Sequence, residues 1–258
     1  QTFNLYGTYD NTFANAHSVK VIVGGNYDYK YFKKLGMKRN GLLSESLDDF
    51  NLAKGDDISI TGGQEEYAIL GFFYRLNYGY KDRYLFEASG RYDGSSRFRR
   101  GHRFGFFPAS SVGWVISNEP FFKNMTRTVD LLKLRASYGI VGNDNIGGTG
   151  DRFAYFTQFG SGNSYGFGPN GNLVYGIRET LLGSDKLTWE KSYKTNIGLE
   201  MMLWGKLNLT LDYYWERRKD ILIQRSSLPS MAGFDASIYA NMGEMDNKGV
   251  DANLEYQT

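Results

Sequence analysis

Residues 69–93 read ILGFFYRLNYGYKDRYLFEASGRYD. Leu70, Phe72, Tyr74, Leu76, Tyr78 and Tyr80 recur at every second position, against Ile69, Gly71, Phe73, Arg75, Asn77, Gly79 and Lys81. After Lys81-Asp82 the alternation resumes, with Tyr84, Phe86, Ala88, Gly90 and Tyr92 opposing Arg83, Leu85, Glu87, Ser89, Arg91 and Asp93. A period of two belongs to a strand and one of 3.6 to a helix. The stretch therefore reads as a β-hairpin with one apolar and one ionic face.

The same pattern recurs outward from this hairpin. Val19 to Tyr29, Leu132 to Tyr138, Tyr193 to Leu203, Leu207 to Trp215 and Val250 to Tyr256 each alternate in this way. With segments near 3–10 and 103–116 this predicts about nine strands, many as long as the roughly 9–11 residues of a tilted bilayer crossing. Connections near Asn11–Ala16, Lys81-Asp82 and Trp204-Gly205-Lys206 are short, whereas polar, glycine-rich loops are expected near 32–66, 142–187 and 219–248. Successive connections of antiparallel strands fall at opposite ends of the sheet, so one rim is tight and the other carries the loops.

Composition agrees: 20 Tyr, 18 Phe and 32 Gly favour strands and turns over helices. A net charge of +2 provides no general field for nucleic acid. With no Cys and only His17 and His102, disulfides, thiolate metal sites and His-based triads are excluded or disfavoured. No apolar run reaches the roughly 18 residues of a membrane helix. The chain opens on QTFNLYGTYD, which reads as a strand and not as a signal peptide.

Alternation alone fits two folds. In a soluble antiparallel barrel or sandwich the apolar face points inward. In an antiparallel transmembrane β-barrel it meets lipid, and Arg75, Glu87, Arg91, Arg135, Glu200 and Asp212 line the interior. Strand length, loop asymmetry, and tyrosines with Trp215 near strand ends favour the membrane version. About nine strands do not close a barrel without open edges, which lipid does not tolerate, so the chain reads as part of a larger one.

The residues also carry a family resemblance, from about Leu76 to Glu255. It rests on LNYGYKDRYLFEASGRYDGSSRF, FGFFPASSVGWVISNEPFF and LLKLRASYGIVGNDNIG, in that order. LTWEKSYKTNIGLEMMLWGKLNLTLDYYWERRKDILI and NMGEMDNKGVDANLEY complete it. Together they resemble the SusC/RagA-type TonB-dependent outer-membrane transporters of Bacteroidetes. The resemblance implies that residues 1–258 form a C-terminal portion of a barrel of about 22 strands, without the plug domain. It also implies import of oligosaccharides or peptides, with a SusD-like surface lipoprotein and TonB as partners. No cofactor is implied. The alternative is a soluble or surface-exposed β-rich ligand-binding domain without transport.

Several stretches invite sharper readings. RYDGSSRFRRGHR, residues 91–103, holds five arginines beside an aromatic segment, a pattern that suits a nucleic-acid groove. As a strand end and loop-rim hairpin it needs no such ligand. GIVGNDNIGGTG, residues 139–150, has the glycines of a phosphate cradle without the following helix. Asp48, Asp49, Asp56 and Asp57 lack calcium-loop spacing, and no metal is expected there. Nothing points to an enzyme. Residues 151–187 present Tyr155, Tyr165, Phe167 and Tyr175 among Gly and Asn, a composition suited to sugar rings or peptide backbones. The same aromatics would also suit a loop packed on itself.

Overall fold

A computed structural model describes residues 1–42, 44, 46, 49–123, 125, 127–145, 153–169, 171–225 and 237–257. Eleven strands form one sheet: β1 (Thr2–Phe13), β2 (His17–Arg39), β3 (Ile58–Tyr80), β4 (Tyr84–Ser95), β5 (Phe104–Val115), β6 (Val129–Asn143), β7 (Gln158–Phe167), β8 (Asn172–Leu182), β9 (Glu190–Leu203), β10 (Leu207–Arg225) and β11 (Ser237–Tyr256). Their order is β1-β2-β3-β4-β5-β6-β9-β10-β11-β8-β7. Nine strands form an antiparallel meander. The β7–β8 hairpin is inserted between β6 and β9 and touches β11 in parallel only at Ser237↔Leu181 and Ile238↔Leu182.

The nine alternating segments are thus the meander, and the expected long loops are partly strand. About half of the 32–66 segment is ribbon, since β2 runs to Arg39 and pairs with β3 from Ile58. Pairing with β1 stops at Asp28 and pairing with β4 at Ile69, so residues 30–39 and 58–67 form a two-stranded arm. Residues 158–182 add a hairpin broken by two register shifts. β10 and β11 also reach into 219–248. Alternation failed to mark these pieces for a physical reason: a period of two arises where the faces meet different surroundings, and the faces of a free-standing ribbon do not.

The tight turns share one build. Ala14-Asn15, Lys81-Asp82 and Trp204-Gly205 all have positive φ, between 49° and 62°. Hydrogen bonds of 3.0 Å from Ala16, Arg83 and Lys206 N–H to the Phe13, Tyr80 and Leu203 carbonyls close them. Positive φ at both central residues is the type I′ signature, whose twist matches that of the flanking strands.

Between the first two turns the apolar face ends in a row of rings. His17 and Tyr80 centroids lie 4.8 Å apart, and Tyr80–Tyr84 and Tyr84–Trp114 each 6.4 Å apart. Each pair is directly aligned across neighbouring strands. Trp215, the ninth residue of β10, stands about one crossing length of roughly 9–11 residues from this rim. The two positions suit the aromatic girdles that flank the apolar band of a membrane barrel.

No second layer covers the apolar face among the described residues, because extensive contacts run only between neighbouring elements. Val112 and Ile197, mid-strand, remain 54 % exposed. A soluble sandwich would bury both.

Candidate functional site

The registers place Arg75, Glu87, Arg91, Arg135, Glu200 and Asp212 on one face. Arg75 aligns with Ser89, Glu87 with Ser111, Gly113 with Arg135, Arg135 with Gly198, and Gly198 with Asp212. Opposed charges meet across strands. Arg75 Nε lies 3.6 Å from Glu87 Oε1 on the next strand, while Arg91 donates at 2.9 and 2.8 Å to Asp93 on its own strand and at 2.9 Å to Asn26 across β3. Arg135 donates to both Asp212 oxygens at 2.8 and 2.7 Å, and its Nε sits 3.1 Å from Glu200. Lys133 adds a second cation to Glu200 at 3.2 Å. Each half-exposed pair is worth only about 0–1 kcal/mol. Their effect is to cover this face with fixed, alternating charge.

Gly198 explains how Arg135 on β6 reaches Asp212 on β10, across β9. A Cβ there would lie 2.6 Å from both Arg135 Nε and Asp212 Oδ1. Gly71 does the same beneath Arg91, Asp93 and Asn26. Gly198→Ala should therefore open the bridge and cost about 1–3 kcal/mol, as overpacking does. Thermal unfolding checks this, and the cost should shrink in an Asp212→Ala background, where one obstructing carboxylate is gone.

At the loop rim the ionic face is roofed by a compact cluster. Phe107, on the ionic side of β5, packs edge-on to Trp189 at 5.1 Å, and Phe98 lies 5.6 Å from the same indole. Ala154, Leu181 and Leu187 complete the cluster, with Phe98 and Ala154 fully buried. Trp189 Nε1 donates to the Arg103 carbonyl at 2.7 Å. Beside it Arg97, 12 % exposed, pairs with Asp144, 15 % exposed, at 3.2 Å. Arg97 also lies 4.6 Å above the Tyr67 ring, and Ser95 Oγ donates to Asp144 at 2.7 Å.

This arrangement accounts for most of the basic stretch 91–103. Arg91 pairs with Asp93, Arg97 with Asp144 and Arg99 with Asp185, while Arg103 donates to the Phe98 carbonyl at 3.0 Å. Internal pairing removes the broad basic surface that a polyphosphate backbone needs.

The four loop aromatics do not form one group. Tyr155 packs tilted against Phe156, with ring centroids 4.3 Å apart, in the turn beside the buried cluster. Tyr165 and Phe167 are 5.3 Å apart on one side of the β7–β8 hairpin. Tyr175 aligns with Ser164 while Tyr165 aligns with Val174, which puts Tyr175 on the other side. Tyr165 and Tyr175 are each 70 % exposed. Self-packing therefore holds around Tyr155, whereas the hairpin rings are exposed, with Tyr165 and Phe167 touching only each other among the ring contacts of the described residues. Sequence reading missed Trp189 and Asp144, although both lie inside the quoted motifs LTWEKS and GNDN.

At the tight rim two short helical turns, Ile116–Asn118 and Pro120–Phe122, replace the strand continuation expected at Ile116. Glu119, only 6 % exposed, accepts from Trp114 Nε1 at 3.1 Å and from Arg83 at 3.3 Å. Hydrogen bonds from Tyr84 and Trp114, with the Arg83 charge beside them, outweigh burial and hold its carboxyl below the usual range. Among the described residues no group of three or more His, Cys, Asp or Glu is placed to hold a metal. Asp48 and residues 146–150 of the glycine-rich stretch lie outside the described residues. Asp49 accepts from the Asn51 N–H, and Asp56 and Asp57 are exposed.

Comparison with known proteins agrees with this geometry. The family model "TonB dependent receptor-like, beta-barrel" matches residues 1–257. TonB-dependent receptor SusC of Bacteroides thetaiotaomicron is 32% identical over 258 residues, covering 98% of this chain and 24% of that protein. TonB-dependent receptor P39 of Formosa agariphila is 32% identical over 248 residues, covering 95% and 23%. The solved RagAB peptide transporter superposes with a TM-score of 0.82 at 28% identity, covering 99% of this chain and 27% of that one. The chain spans about a quarter of the length of these curated relatives. An apolar face open to lipid, girdle rings, a tight rim and the full-length match converge: the chain belongs to the TonB-dependent receptor β-barrel family of outer-membrane proteins.

Proposed function

We propose that this chain forms a C-terminal part of the barrel wall of a TonB-dependent importer of oligosaccharides or peptides. The observation that carries this reading is the two-faced meander, with cross-strand ion pairs on one face and an open apolar band on the other. In a bilayer the apolar face meets lipid and the ionic face lines the lumen. Arg75, Glu87, Arg91, Arg135, Glu200 and Asp212 then present fixed charge to the plug and to passing substrate. The loop rim faces outward, where a SusD-like lipoprotein caps the barrel, and TonB acts through a plug domain outside this chain. Tyr155, Tyr165, Phe167 and Tyr175 serve as aromatic contacts for substrate or lipoprotein, because their rings join apolar faces to polar surroundings.

Fractionation tests the location. A protein that stays soluble without detergent and never enters the outer membrane rejects the reading. Changing Tyr155, Tyr165 and Tyr175 together to Ala in the full transporter should weaken substrate binding about tenfold or more, as loss of aromatic contacts does at recognition surfaces. Equilibrium binding to the lipoprotein–transporter complex measures this, and an unchanged affinity rejects the contact role.

A further inference from the structure

Within that reading, on which this inference rests, the loop rim carries a cleft of 360 Å³ lined by Arg99, Arg100, Arg103, Tyr155, Phe156 and Asp185. Small-molecule sites start at roughly this size. Three guanidinium charges face one carboxylate there, and that carboxylate is already paired with Arg99. Arg103 is held through its Nε by the Phe98 carbonyl, which anchors the guanidinium at the wall. Arg100 is exposed and makes no hydrogen bond or ion pair among the described residues. Phe98 and Ala154, which precede Arg99 and Tyr155 in the chain, are both fully buried in one cluster, which fixes the two loops relative to each other. The cleft thus combines surplus positive charge with adjacent aromatic rings on a rigid base.

We infer that this cleft selects an oligosaccharide bearing sulfate or carboxylate groups, with Arg100 and Arg103 taking the anion and Tyr155 and Phe156 the sugar ring. Guanidinium groups match the geometry of such anions with paired N–H donors. Flat aromatic faces pack against sugar C–H surface while the hydroxyls stay in water. A peptide is the weaker fit, because extended peptides are commonly held by adding a strand to an open edge. The cleft walls are loop residues, and β4, which leads into them, is paired on both sides as far as Gly94.

The test uses the full transporter with its lipoprotein and three probes: dextran-sulfate oligomers, unsulfated dextran oligomers of the same length, and an acidic hexapeptide. The expected result is preferential binding of the sulfated oligomer. Arg100→Gln should weaken it about tenfold, the size of a lost charge-assisted hydrogen bond. It should leave dextran binding within about twofold, and Lys38→Gln, an exposed charge at the same end of the sheet, should have no such effect. Arg100 has no partner to lose among the described residues, and an unchanged thermal unfolding midpoint checks that the variant folds. Equal binding of sulfated and neutral oligomers, or an Arg100→Gln protein that keeps the preference, overturns the inference. Preferential binding of the hexapeptide overturns it too, while leaving the importer reading intact. Failure of that reading shows separately, as absence from the outer membrane.

Discussion

Trp189→Ala should loosen the loop rim while leaving the barrel wall folded. The indole is 5 % exposed, packs on Phe98 and Phe107, and donates to the Arg103 carbonyl. Truncating a buried Trp costs about 3–5 kcal/mol, partly in transfer and partly in the cavity left behind. Here the loss falls on a local unit, since the cluster draws on loop residues 98 and 154 as well as strand ends. Hydrogen exchange followed by mass spectrometry should show peptides covering 96–103 and 183–189 opening faster by that margin, with β9–β10 protection retained. Unchanged exchange at 96–103 would show that Phe98 is held by something other than the indole. Trp189→Phe should recover most of the packing but not the hydrogen bond.

Arg97→Ala is expected to have an effect of similar size by a different route. Arg97 and Asp144 are both largely enclosed, and Asp144 also accepts from Ser95. Removing one partner of a buried ion pair leaves an uncompensated charge, at a cost of about 3–5 kcal/mol. Replacing both, as Arg97→Met with Asp144→Asn, should be much milder, because neither charge then needs burying. Thermal unfolding of the two variants checks the order. A single variant as stable as the double would mean that water already reaches Asp144. Because Arg97 also covers the Tyr67 ring, its loss should free the base of the arm formed by residues 30–39 and 58–67.

Legibility in the sequence followed from surroundings. The nine meander strands were readable because the two faces of the wall meet unlike surroundings, which impose opposite demands on alternate residues. The same contrast identified the six charged residues as one face, and registers from β3 to β10 align them. Strand pairs beyond the rim were not readable, because both of their faces meet similar surroundings. The four loop aromatics were grouped by proximity in sequence, yet a two-strand hairpin sends Tyr165 and Tyr175 to opposite sides.

By itself, then, the sequence determined the architecture: period-two alternation, turn spacing and motif order specify a two-faced antiparallel wall with one tight rim. Only the tertiary structure decided what the basic stretch 91–103 does. Whether an arginine is free or paired depends on carboxylates brought in from distant positions, such as Asp144 for Arg97 and Asp185 for Arg99. Alternation reports which face a residue occupies, but the partner it meets is set by how non-adjacent strands and loops close in space. For that reason Arg100, indistinguishable from its neighbours in sequence, emerges as the arginine of this stretch whose side chain has no hydrogen bond or ion pair among the described residues.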